Sequence, residues 1–155
     1  QPPCLRDKRK KTMSEMIHIT AEQFTKRLVH LCLRGLLNIP KDLTDQHILL
    51  KSAAMSIGAA GPMTEKELND PLQAWLDMVN AAAEIDRVSL RRWMVDMGYL
   101  SRDAVGSRYE VRLCGVNLAE FDPAIEQFST AEILQSAREE VERRKQAYLQ
   151  KAKGA

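Results

Sequence analysis

Residues 86–113 read DRVSLRRWMVDMGYLSRDAVGSRYEVRL, and this stretch decides the fold. Asp86 is a helix-starting residue, because its carboxylate accepts hydrogen bonds from the free amides of a first turn. Val88, Leu90, Met94, Val95 and Met97 follow at helical spacing, and Gly98 supplies a stop, which predicts a helix of roughly three turns. Past the glycine, Tyr109, Val111 and Leu113 alternate with Arg108, Glu110 and Arg112, the two-residue period of a strand. The turn-forming residues 103–107 separate this run from residues 99–102, so a β-hairpin is predicted directly after the helix.

Two further helices precede it. Thr64 and Glu67 form a capping-box pair ahead of Leu68, Leu72, Trp75, Leu76 and Val79. Pro71 sits inside that pattern and predicts either a kink or a fresh start with Asp70 as the cap. Residues 80–84 extend this helix or form a loop. Earlier still, Pro40 punctuates the chain before Ile48, Leu49, Ala53 and Ile57, a helix closed by Gly58. Three helices followed by a two-stranded hairpin, all within residues 41–113, are the element order of a winged helix. The expected fold class is therefore mainly α with a small β-hairpin, a winged-helix-like domain with extra N- and C-terminal helices.

The flanks carry those extra helices. Residues 1–12 hold five Lys or Arg against Asp7, have no apolar period, and read as a disordered basic tail. Within residues 13–40, Thr20 and Gln23 open a helix carrying Phe24, Leu28, Leu31, Cys32 and Leu36 to about Leu37. Residues 114–128 read as an irregular connector containing Pro123. From Ser129 or Thr130 to about Lys151 a long helix follows, with Ile133, Leu134, Ala137, Val141 and Tyr148 on a stripe broken at Lys145. Stripes outside the winged-helix core have to be buried, either on that core or between subunits. A homodimer is expected, with the N-terminal helix as its contact.

Composition bounds the function classes. A chain of 155 residues with 45% hydrophobic content fits one compact domain with appendages. No apolar run approaches the roughly 18 residues of a membrane span, so no membrane role is expected. No secretory signal is legible, and a cytoplasmic location is expected. Cys4, Cys32 and Cys114 are odd in number and widely spaced, which fits reduced thiols rather than a disulfide. His18, His30, His47 and the cysteines lack the paired spacing of a metal site. No nucleophile with a positioned base and no phosphate-binding glycine loop is written, so neither an enzyme nor a cofactor is expected. Trp75 and Trp93 read as packing residues.

The local sequence adds a resemblance. TEKELN at residues 64–69, residues 86–100 and GSRY at residues 106–109 resemble a bacterial family catalogued as domain of unknown function 2087. The positions that match its pattern are Asp86, Ser89, Leu90, Arg91, Arg92, Met94, Val95, Gly98, Leu100, Arg102, Gly106, Ser107 and Tyr109. The likeness spans residues 43–113, and Pro71 and the alanines at 81–83 depart from it. It implies a winged-helix-like fold and a regulatory role beside DNA-binding modules.

In a DNA-reading module of this order, the third helix enters the major groove and the hairpin touches backbone. The candidate DNA-binding residues are Arg87, Ser89 and Arg92 on that helix, and Arg102, Arg108 and Arg112 on the wing. Arginine suits the task because its planar fork meets guanine edges or phosphates bidentately. Arg91 falls within the apolar arc and reads as a structural pairing residue for Glu65, Glu67 or Asp86. Arg92 and Asp96 are spaced for a surface ion pair. Charge is divided: from Asp86 to Arg112 six arginines stand against four acids, yet residues 41–113 hold nine Lys or Arg against eleven Asp or Glu. Two functions stay open, a DNA-binding transcriptional regulator and a protein-interaction module of the same fold.

Overall fold

The structure is a computed structural model that describes residues 16–58, 61–113 and 119–154. The basic segment 1–12, Cys4 and Cys114 lie outside the described residues. The chain is mainly helical, with a small antiparallel sheet and one short parallel strand pair.

Strand β1 (Ile17–Ile19) leads into α1 (Ala21–Cys32), whose cap Thr20 accepts a hydrogen bond from the Gln23 amide at 3.1 Å. Phe24, Leu28 and Cys32, four residues apart, form its buried face. The helix stops five residues short of the expected end near Leu37. Gly35 takes φ +98°, a conformation that breaks the helical path, and Leu36 is buried from the loop instead. Its amide donates to the Val79 carbonyl at 3.0 Å and its carbonyl accepts from Ala82 at 2.9 Å.

Helix α2 (Leu43–Ile57) starts at the Asp42 cap and ends at Gly58. It is buried nearly all round, from Ile48 through Ala54, which explains why its apolar residues follow no single stripe. Strand β2 (Met63–Thr64) precedes α3 (Glu65–Met78), where Thr64 and Glu67 complete the capping box. Pro71 lies inside α3, and the fresh start at Asp70 does not occur. Leu68, Leu72, Trp75 and Leu76 all bury on one face, and that burial outweighs the loss of one backbone donor. Residues 80–84 are loop, turned by Asn80 at φ +53°.

Helix α4 (Arg87–Asp96) is capped by Asp86 and followed by Gly98 at φ +87°. Strands β3 (Leu100–Arg102) and β4 (Arg108–Val111) form the expected hairpin, in the register Leu100 with Val111 and Arg102 with Tyr109. The Asp103 carboxylate closes its turn by accepting from the Ser107 amide at 2.8 Å and hydroxyl at 3.0 Å. Strand β2 adds to the outer side of β4, so the sheet has three strands in the order β2-β4-β3.

The connector is more regular than its sequence reads. Strand β5 (Ala119–Phe121) pairs parallel with β1, and a 3-10 turn (Pro123–Gln127) precedes α5 (Thr130–Gly154). Single core clustering runs from Ile19 on β1 to Leu134 on α5. Thus α1 and the first turns of α5 cover the core rather than stand apart from it. The apolar stripe of α1, expected as the contact of a dimer, is used within one chain. Arg138 locks α5 down by donating to the carbonyls of Cys32 at 3.0 Å and Met78 at 3.2 Å, the C-terminal ends of α1 and α3.

Candidate nucleic-acid interface

The pose of α4 against the hairpin is fixed from beneath. Leu90, Trp93 and Met94 bury one face of α4, and the Trp93 indole donates to Gln46 on α2 at 3.1 Å. The Tyr99 amide donates to the Met94 carbonyl at 2.8 Å, and its own carbonyl accepts from the Arg112 amide at 2.9 Å. Its buried hydroxyl meets His47 Nδ1 of α2 at 2.8 Å. Helix, turn and hairpin are therefore tied to one another and to the core.

On the outer face lies a cleft of about 430 Å³ between α4 and the hairpin. Arg92 and Asp96 of α4 and Arg102 of β3 line it, with Glu65 of α3 at one side. Arg91 also reaches it, but its side chain is only 16% exposed, and its guanidinium stands 3.5 Å from Glu65 and lies 5.9 Å from the Tyr109 ring centroid. That is the pairing role its position in the apolar arc implies. Arg92 and Asp96 both line the cleft, and among the described residues they form no ion pair with each other.

The remaining candidates are not among the residues that line the cleft, and Arg108 alternates with the cleft-lining Tyr109 on β4. Arg87, Arg108 and Arg112 are exposed, and Arg108 stands opposite Thr64 in the β2–β4 register. Ser89 is half-buried, and its amide donates to the Asp86 carboxylate at 2.8 Å. Hydrogen bonds from the Ser89 amide and hydroxyl hold the Asp86 carboxyl below its usual range, so this side chain serves the helix cap. Glu67 is held low in the same way, first by the Thr64 amide and then by the Thr64 hydroxyl, with Arg108 adding a smaller pull.

Residues 35–111 match the model of a family described as uncharacterized protein conserved in bacteria (DUF2087). By that segment the chain belongs to the DUF2087 family. No curated protein and no solved structure matches the chain. The DUF2087 segment opens at Gly35, eight residues before the likeness legible in the sequence, and closes at Val111. It includes the cleft and five of the six candidate residues, leaving Arg112 just beyond its end.

Other polar groups went unread in the sequence. The Lys51 side chain is buried, with its ammonium on the Leu113 carbonyl and the Glu126 carboxylate. Ser52 accepts from the Trp75 indole at 2.9 Å and shares a 2.7 Å hydrogen bond with Thr130. Arg27 of α1 clasps Asp45 of α2 with two hydrogen bonds, at 2.9 and 2.8 Å. Burial pushes the Cys32 thiol up to about 12, so it is an inert core group. A polar residue four places from another on an otherwise apolar helix, such as His47 and Lys51, was the available signal. Among the described residues no three His, Cys, Asp or Glu converge as a metal site, and no helix is long and apolar enough to cross a membrane.

Proposed function

We propose that the DUF2087 segment is a winged-helix module that binds double-stranded DNA and acts as a transcriptional regulator in the cytoplasm. In this reading α4 enters the major groove and the β3–β4 hairpin is the wing. The observation that carries it is the cleft lined by both Arg92 of α4 and Arg102 of the hairpin, with Arg87, Arg108 and Arg112 exposed elsewhere on the same helix and hairpin. The order α2, β2, α3, α4, β3, β4, with the short strand on the hairpin's edge, supports the same reading. A helix fits the major groove, and each exposed guanidinium neutralises a phosphate or meets a guanine edge.

The test is fluorescence anisotropy on labelled genomic fragments over a series of salt concentrations. Changing Arg87, Arg92 and Arg108 together to Ala is expected to weaken binding and to flatten the salt slope by about one for each phosphate contact removed. Unchanged binding by this triple variant overturns the surface.

One observation favours a second reading, a protein-interaction module. Glu65 and Asp96 line the same cleft, and acids outnumber bases over residues 41–113. Pull-down from lysate separates the two: partners lost on nuclease treatment support DNA, and partners retained support a protein contact.

A further inference from the structure

Two facing surfaces build the cleft between α4 and the hairpin. On α4, Val88, Arg91, Arg92, Val95 and Asp96 recur at the three- and four-residue spacing that puts side chains on one face of a helix. On the hairpin, Arg102 and Tyr109 stand opposite each other in the register, so their side chains share one face of the sheet. The Arg102 Cδ and Nε lie 3.6 and 3.7 Å from the position that a Cβ on Gly106 would take, so the arginine stem lies back over the turn. Three arginines and two acids line the cleft, an excess of one positive charge. Glu65 already balances Arg91, which leaves Arg92 and Arg102 with Asp96 alone. Among the described residues neither Arg92 nor Arg102 makes a side-chain hydrogen bond or ion pair. The Tyr109 hydroxyl likewise has no hydrogen-bond partner among them, although the residue is only 4% exposed. Buried polar groups are ordinarily satisfied, so the cleft wall holds donors to spare. Beside them stand two apolar side chains, Val88, 49% exposed, and half-buried Val95.

We propose that this cleft binds a small organic acid, its carboxylate held by Arg92, Arg102 and the Tyr109 hydroxyl and its apolar body against Val88 and Val95. A guanidinium fork matches the two oxygens of a carboxylate, and one carboxylate charge equals the excess positive charge of the lining. The volume of about 430 Å³ lies at the small end of ligand sites, which suits an acid of about ten non-hydrogen atoms. The proposal does not rest on the DNA reading, because the ligand is a small molecule and its binding is measured without nucleic acid.

Titration of the isotope-labelled full chain with benzoate, followed by amide NMR shifts at constant ionic strength, tests it, with benzamide as the uncharged match. Benzoate is expected to saturate with a dissociation constant of about 1 mM and to move amides of α4 and the β3–β4 hairpin. Benzamide is expected to bind about tenfold more weakly or worse. Changing Arg92 and Arg102 together to Gln is expected to weaken benzoate binding about tenfold, with the melting temperature retained because both side chains are exposed. Tyr109→Phe keeps the ring and is expected to weaken it about threefold. A titration without saturation, benzamide that binds as well as benzoate, or a double glutamine variant that binds like wild type each overturns the proposal. A Tyr109→Phe variant that binds like wild type overturns the part given to the hydroxyl.

Discussion

Truncating Lys51 to alanine tests how the hairpin exit and the 3-10 turn are tied to α2. The side chain is 1% exposed, its ammonium bonds the Leu113 carbonyl and the Glu126 carboxylate, and it stands 5.1 Å from the centroid of Phe121. Two charge-assisted hydrogen bonds are lost, each contributing about 1.5–3 kcal/mol. Two terms reduce the sum. The ammonium no longer has to be desolvated, and the Glu126 carboxylate, 40% exposed, finds water as a substitute partner. The void left by the four-carbon stem and the orphaned Leu113 carbonyl act in the other direction. We expect Lys51→Ala to lose about 3 kcal/mol, or about 10 °C in Tm for a chain of this size. Lys51→Met keeps the stem and is expected to lose about half as much. Urea denaturation followed by circular dichroism, with an unchanged slope, measures both. An alanine variant within about 0.5 kcal/mol of wild type refutes the tie, and a methionine variant as stable as wild type assigns the effect to packing alone.

Three further outcomes are expected. His47 is buried, its Nε2 has no partner, and burial lowers its pKa from 6.5 to about 4. The unfolded chain therefore binds a proton between pH 6.5 and 4 that the folded chain excludes, so this group's contribution is complete above pH 6.5 and falls by about 3 kcal/mol as pH drops to 4. Unfolding free energies across that window should fall less steeply for His47→Gln than for wild type, and equal slopes would sink the assignment. Gly35→Ala is expected to lose about 1–2 kcal/mol, because φ is +98° and a Cβ would meet the Asn80 carbonyl oxygen at 3.0 Å. An unchanged melting temperature contradicts that. Pro71→Ala should gain about 1 kcal/mol by restoring a backbone donor to α3, and a variant that melts below wild type shows that the ring's packing matters more.

What the sequence disclosed and what it concealed follow one physical division. Helix α4 and the hairpin were legible because each of their signals is local: the Asp86 cap, the glycine at 98, and the alternation through Tyr109 and Val111. Strands β1, β2 and β5 were not legible. Runs of two or three residues have no period, and their partners lie far along the chain, as with Ile17 and Ala119 or Met63 and Tyr109. Pro71 misled for the opposite reason, since a real local penalty was outweighed by burial of Leu68, Leu72 and Trp75.

The site divides in the same way. Arg91 could be separated from Arg92 by angle alone, because a guanidinium inside the apolar arc must find an acid nearby, and Glu65 supplies it. That Arg92 and Arg102 share one cleft could not be read, because it depends on how the hairpin folds back over α4, which the hidden contact between Tyr99 and His47 helps to set. Taken singly, Lys51 and His47 carry no local signal of burial in the sequence, yet α2 is enclosed on nearly every side. A polar residue on a helix that is apolar all round is therefore better read as a buried tether than as a solvated face. Here those tethers hold the hairpin and connector against the core, and so fix the geometry on which any reading of the arginines depends.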